Sequence, residues 1–242
     1  MPTVPTWLAN GMERMFSHLM NPVQVTQTRL ISENLKWVQF SGDLSQTKYT
    51  AGNVIEFRVE GREFRHYTPS YYDGPSGICE VLFYLHGLGP GSSWAAELAP
   101  GDQMKLMGPG GRTAYQESAP FHVFFGDESA LGLCLNLARE ADRQGTPFQC
   151  LLELAAHHSG WPEELGLSAK VVGKSEESPA SPALHWLESL PLSTWTDWQE
   201  ASFYLAGRVR SIQQLRKYLK AKGIASRQLI SAPYWTEGKR GL

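Results

Sequence analysis

Arg65-His66-Tyr67-Thr68-Pro69-Ser70 and, further on, Leu85-His86-Gly87-Leu88-Gly89-Pro90-Gly91-Ser92-Ser93-Trp94 are the stretches whose reading decides the fold. In an extended strand, positions i and i+2 share a face, so Arg65 and Tyr67 point the same way. Pro69 enforces a bend just after Thr68. A guanidinium recognises phosphate, a phenol ring stacks on a flat heterocycle, and a hydroxyl bonds a ring nitrogen. In the second stretch Gly89, Gly91 and Ser92 precede a helical pattern, and free N–H groups at a helix start bind pyrophosphate. Together these groups suit a flavin dinucleotide.

Working outward, residues 23–107 alternate short β-prone runs with turn residues. The runs are 35–40, 53–59, 78–86 and 103–107, and the turns are Ser41-Gly42-Asp43, Gly61, Asp73-Gly74-Pro75 and Pro100-Gly101-Asp102. Short strands at that spacing predict a closed antiparallel barrel of six strands, interrupted by a short helix over 92–98. The texture changes after Gly108-Pro109-Gly110-Gly111. Apolar strands at 121–125, 148–154, 169–173, 203–206 and 227–231 then alternate with helices at 128–143 and 209–222. A Ser/Pro-rich surface loop covers 175–182, and a turn is expected around Trp186. Apolar strands alternating with helices predict a parallel sheet with right-handed crossovers. The expected division is a barrel domain, 1–114, followed by an α/β domain, 115–242. Trp7, Leu8, Met12, Met15, Phe16 and Leu19 recur at helical spacing and predict an amphipathic helix packed on the barrel.

Composition narrows the class. The chain has 242 residues, 42% of them hydrophobic, and a formal net charge of −2. That charge exerts no global pull on nucleic acid or anionic membrane, so electrostatic recognition is local. Cys79, Cys134 and Cys150 are scattered and lack C-x-x-C spacing, which argues against a disulfide framework, a zinc site or an iron–sulfur cluster. Glu13 and Arg14 interrupt the apolar residues near the N-terminus, and no run approaches the ~20 apolar residues of a spanning helix. The expectation is a cytoplasmic monomer with no membrane insertion.

The motifs R-x-Y-T, H-G-x-G-P-x-S-x-W, P-G-D, G-P and G-D-E-[ST]-A-L occur in order from about Gly42 onward, with Tyr234-Trp235-Thr236-Glu237-Gly238 near the end. This series resembles the siderophore-interacting proteins, which are flavin-dependent ferric-siderophore reductases of the ferredoxin–NADP reductase superfamily. The resemblance implies FAD as cofactor, NADPH or NADH as electron donor and a ferric siderophore as substrate. It implies that Arg65 binds the pyrophosphate, Tyr67 lies against the isoalloxazine and Thr68 approaches its N5 edge, with no protein nucleophile. His66, Leu85, His86, Gly87, Gly89, Gly91, Ser92, Trp94 and Trp235 complete the implied cofactor set. His86 contributes through its backbone, while Trp94 suits the core equally well. Basic residues are common in the family at the positions of Ser70 and Ser93, and an acidic one at that of Arg208.

Gly126, Asp127, Glu128 and Ser129 fall between an apolar strand and a helix, where open parallel sheets bind nucleotides. By themselves they are a turn with Asp127 or Ser129 as N-cap. By resemblance they lie beside the nicotinamide nucleotide. Glu153 ends the next strand, where a carboxylate accepts from ribose hydroxyls. That carboxylate repels a 2′-phosphate, and His157 and His158, which follow in the loop, would do the opposite if protonated; the expectation is a pair of solvated loop histidines. Arg208, Arg210, Arg216, Lys217, Lys220 and Lys222 form a basic face opposite Ile212, Leu215 and Leu219. Lys239 and Arg240, with Trp235, suit an anionic ferric chelate. Two rival functions fit the same residues: a flavin reductase serving a protein acceptor such as ferredoxin, and a redox-inactive siderophore- or iron-binding module.

Overall fold

A computed structural model describes residues 20–60, 63–111 and 113–238. The helix expected over 7–19, like Lys239 and Arg240, lies outside the described residues. The chain divides into two compact units between Ala114 and Tyr115.

The first unit is a curled antiparallel sheet. Its strands are β1 (Met20–Ser32), β2 (Leu35–Gly42), β3 (Val54–Glu60), β4 (Glu63–Tyr67), β5 (Tyr71–Asp73), β6 (Ile78–Tyr84) and β7 (Gln103–Gly110). They pair in the order β4-β3-β7-β1-β2-β6-β5. Among the described residues there are thus seven strands rather than six. The extra one is β5, whose three residues pair with β6 just beyond the Pro69 bend, too short to leave a period-two signal. Nor, among the described residues, does the sheet close by pairing, because β4 and β5 are its two edges. Alternate residues of β3 and β6 are buried, Ile55, Phe57 and Val59 on one and Cys79, Val81 and Phe83 on the other. With Val38 and Phe40 of β2 they build the core. Helix α1 (Pro90–Glu97) inserts Trp94 into that core, 5.4 Å from the Phe57 ring and 5.8 Å from the Phe83 ring.

The second unit is a five-stranded parallel sheet. It comprises β8 (His122–Gly126), β9 (Phe148–Leu154), β10 (Lys170–Gly173), β11 (Ser202–Arg208) and β12 (Leu229–Trp235), ordered β10-β9-β8-β11-β12. β8 and β11 are buried throughout, as strands covered on both faces must be. Helix α2 (Leu131–Gln144) packs on β8 and β9. Between β10 and β11 the chain forms helices α4 (Ser181–Glu188) and α5 (Leu192–Asp197), after the short α3 (Trp161–Glu164) that precedes β10. The turn expected around Trp186 is therefore helix α4, whose start carries a Pro that suits a first helical turn. Helix α6 (Val209–Ala221) buries Ile212, Leu215 and Leu219 against the sheet, as the periodicity predicts. Two of the scattered cysteines are brought together: Cys134 of α2 and Cys150 of β9 are buried with their sulfurs 2.9 Å apart.

The strand order reverses between β8 and β11. That is the switch point of a doubly wound sheet, whose carboxyl ends form a crevice.

Candidate flavin and nucleotide sites

On β4, Tyr67 pairs with Ile55 and Arg65 with Phe57, two inward residues of β3. Cross-strand partners share a face, so Arg65 and Tyr67 lie on the inner face of the sheet's edge. Both converge on Gly91 of α1. A Cβ at Gly91 would stand 2.9 Å from the Tyr67 hydroxyl and 3.2 Å from Arg65 Cγ. The two halves of the motif therefore meet in space, and the glycine is what lets them touch. His66 turns to the other face, where its Nε2 lies 3.7 Å from a Glu56 carboxylate oxygen. Its side chain does not join the cluster, because strand alternation forbids it.

The Arg65 guanidinium donates to the Glu63 carboxylate at 2.5 Å and to the Phe64 carbonyl at 2.8 Å. Glu63 was not singled out in the sequence, yet it competes for any phosphate that Arg65 would bind. Tyr67 packs edge-on against Phe83, 4.8 Å away, and burial pushes its phenol well up, so it stays neutral. Thr68 is buried. Ser70 is buried too, its N–H donating to the Glu80 carbonyl at 2.8 Å, so the position points inward and offers no phosphate contact. Trp94 takes the core role.

Before α1 the loop folds on itself. Gly87 N–H donates to Ser92 Oγ at 3.0 Å, and Leu88 N–H to His86 Nδ1 at 3.1 Å, with burial lowering the imidazole pKa. Gly87 and Gly89 hold φ of 74° and 85°, the left-handed region that suits glycine. Gly89 begins α1 with no side-chain cap, and the first turn contains no acidic residue. Leu85 exchanges two hydrogen bonds with Asn34, whose side chain donates to its carbonyl at 3.0 Å and whose carbonyl accepts its N–H at 2.7 Å.

At the carboxyl end of the parallel sheet, the acidic groups face inward. Asp127 accepts from Ser129 N–H (3.0 Å), Ser129 Oγ (2.5 Å), Arg208 N–H (2.9 Å) and Trp235 Nε1 (2.7 Å). Burial raises its pKa against the pull of Lys174 and these donors. Its carboxylate fills the space over Gly207, where a Cβ would come within 2.5 Å. Gly126 packs as tightly, since its Cβ would meet the Phe124 ring at 2.6 Å. Glu128 accepts from Ala155 N–H (2.9 Å) and Lys174 Nζ (2.9 Å) and meets His158 Nδ1 at 3.1 Å. Burial works to raise its pKa, but Lys174, Ala155 and His158 outweigh that and keep it ionised.

Three expectations change here. Glu153 is 1% exposed, and its oxygens accept from Ala180 N–H and Ser211 Oγ, each at 2.9 Å, so it braces helix starts instead of meeting a ribose. His158 is buried, stacked on Trp161 with ring centroids 3.8 Å apart, and is not a solvated loop residue. Arg208 is 2% exposed and not part of the solvated basic face. It grips Glu237 and donates to the Ser175 carbonyl at 2.8 Å and the Glu176 carbonyl at 3.2 Å. Trp235 lies within this network, its ring 4.9 Å from Lys174 Nζ and 5.5 Å from the Arg208 guanidinium. Lys174 carried no sequence signal.

Residues 46–113 match the family model described as the siderophore-interacting FAD-binding domain. The match lies within the first unit. Over 181 residues the chain is 29% identical to the ferric vibriobactin reductase ViuB of Vibrio cholerae, covering 72% of this chain and 65% of ViuB. The chain thus spans just under two-thirds of that relative. Among solved structures it resembles the siderophore-interacting protein SipS from Aeromonas hydrophila, with TM-score 0.73, 21% identity and coverage of 92% of this chain and 94% of SipS. It also resembles the ferredoxin reductase in carbazole 1,9a-dioxygenase, with TM-score 0.73, 19% identity and coverage of 89% and 68%. The fold is that of the ferredoxin reductases. Among the described residues no helix is long and apolar enough to cross a membrane.

Proposed function

We propose that the chain is a ferric-siderophore reductase that holds FAD in its first unit and takes electrons from NAD(P)H through its second. The observation that carries this reading is the meeting of Arg65 and Tyr67 at Gly91, beside a helix start that no side chain caps. Those residues fit FAD: a cation and free N–H groups for its phosphates, and a neutral phenol for its ring. When bound, FAD supplies the chemistry that accepts a hydride and passes on single electrons.

In this reading Arg65 exchanges Glu63 for a phosphate oxygen, and Thr68 borders the flavin where the chain bends. Leu85, His86, Gly87, Gly89 and Ser92 shape the phosphate loop by their backbones. Around the nicotinamide nucleotide, Gly126, Asp127, Glu128 and Ser129 set the form of the crevice, because their side chains are already engaged internally. Lys239 and Arg240 steer an anionic ferric chelate toward the protein. Reduction releases the metal because oxygen-rich chelators hold the more highly charged Fe(III) much more tightly. The names of ViuB and SipS support this substrate class. We read the protein as a cytoplasmic monomer, which light scattering on the purified protein checks.

The decisive experiment is to purify the protein, record its visible spectrum, and titrate it anaerobically with NADH and NADPH, with and without ferric chelates. A flavin spectrum bleached by the nucleotide and restored by a ferric siderophore is the expected result. Bleaching that only a ferredoxin reverses points to the protein-acceptor reductase. Failure to bind flavin overturns the assignment.

A further inference from the structure

Helix α1 is gripped by a side chain from another element at its C-terminus. Its N-terminus has no side-chain cap and no acidic residue in the first turn. At its C-terminus Lys36 of β2, 8% exposed, donates Nζ to the Ala96 carbonyl at 2.7 Å and to the Leu98 carbonyl at 2.8 Å. An ammonium at a helix C-terminus complements the macrodipole and satisfies carbonyls that no intrahelical donor reaches. Asp102 acts nearby, accepting from Ala99 N–H at 2.8 Å. Two residues before Lys36, Asn34 holds the other end of the same segment through its paired hydrogen bonds with Leu85. One short run of the β1–β2 hairpin thus grips both ends of the loop-and-helix segment that contains Gly87, Gly89, Gly91 and Ser92.

Such a clamp matters because a helix of eight residues is marginal alone. Its direction has to come from tertiary anchors. Trp94, Ala95 and Leu98 seat α1 in the core. Lys36 adds a polar anchor at the far end.

We infer that Lys36, with Asn34, is a positioning residue for dinucleotide binding: it aims the uncapped N-terminus of α1 at the phosphates without touching them. This rests on the reading of α1 as the phosphate site. It predicts an effect that follows the phosphates and not the ring system.

The test compares FAD with riboflavin, which has the isoalloxazine but no phosphate, by titrating flavin fluorescence against the flavin-free protein. Wild type is expected to bind FAD far more tightly than riboflavin. Lys36→Met, which keeps the apolar stem, should weaken FAD about tenfold and leave riboflavin within about twofold. Lys36→Arg should restore most of the FAD affinity. If Lys36→Met does not fold, Asn34→Ala carries the test, with the same FAD-selective loss expected. Equal losses for FAD and riboflavin, or no loss for either, overturn the inference and leave Lys36 a structural cap. Wild type that does not distinguish FAD from riboflavin overturns the phosphate-site reading itself, and this inference with it.

Discussion

The inner edge of the curled sheet and the carboxyl end of the parallel sheet both gather charged and aromatic residues, but they treat them differently. Asp127, Glu128, Glu153 and Arg208 are each buried and bonded within the unit. Around Arg65 and Gly91 the groups are half-buried, and the helix start has no side-chain cap. Burying a charge without a partner is expensive, so a fold either satisfies it internally or leaves it near water. The first solution builds a scaffold and the second keeps binding capacity for a ligand. Side chains of the scaffold should therefore govern stability, and those at the sheet edge should govern affinity.

Asp127→Ala should break the scaffold most severely. It strands the buried Arg208 N–H and the partly buried Trp235 indole donor and should cost about 3 kcal/mol of stability in denaturant unfolding. A stable variant that has lost nucleotide-driven flavin reduction would erase the contrast between the two regions. Arg65→Ala should do the reverse, weakening FAD about ten- to a hundredfold, or about 1.5–3 kcal/mol, with little change in the unfolding midpoint of the flavin-free protein. An unchanged dissociation constant would remove Arg65 from the site.

Smaller changes sharpen the comparison. Gly91→Ala places a methyl group against the Tyr67 hydroxyl and Arg65 Cγ, at a backbone angle that alanine tolerates. It should weaken FAD by about 1 kcal/mol through displaced side chains, and calorimetry should show the folded state nearly as stable. Glu63→Gln should act most weakly and in the opposite sense. Freeing Arg65 from a half-exposed carboxylate should tighten FAD by about 0.5 kcal/mol, and less at high salt.

What could be read in the sequence follows how local the determining interactions are. The placement of Arg65 and Tyr67 was legible because strand alternation puts them on one face, and that of Gly87 and Gly89 because their positive φ favours glycine. The parallel sheet was legible because β8 and β11 each carry a continuous apolar run, Val123–Phe125 and Phe203–Ala206. Glu153 and Arg208 were misread because a charged residue at a strand end faces out or in according to partners far along the chain, here Ser211 for Glu153 and Glu176 and Glu237 for Arg208. Lys36 and Asn34 gave no signal because their partners are backbone carbonyls, which carry no residue identity. β5 and α5 are too short for either periodicity to emerge.

The contact between Asp127 and Gly207 also shapes how this sequence can drift. A side chain at 207 is barred twice, by the carboxylate within 2.6 Å and by a φ of 100°. Replacing Asp127 with a smaller residue lifts the first bar and leaves the second. A substitution at 127 therefore cannot be compensated at 207, and the mutational route between the two positions is closed in both directions.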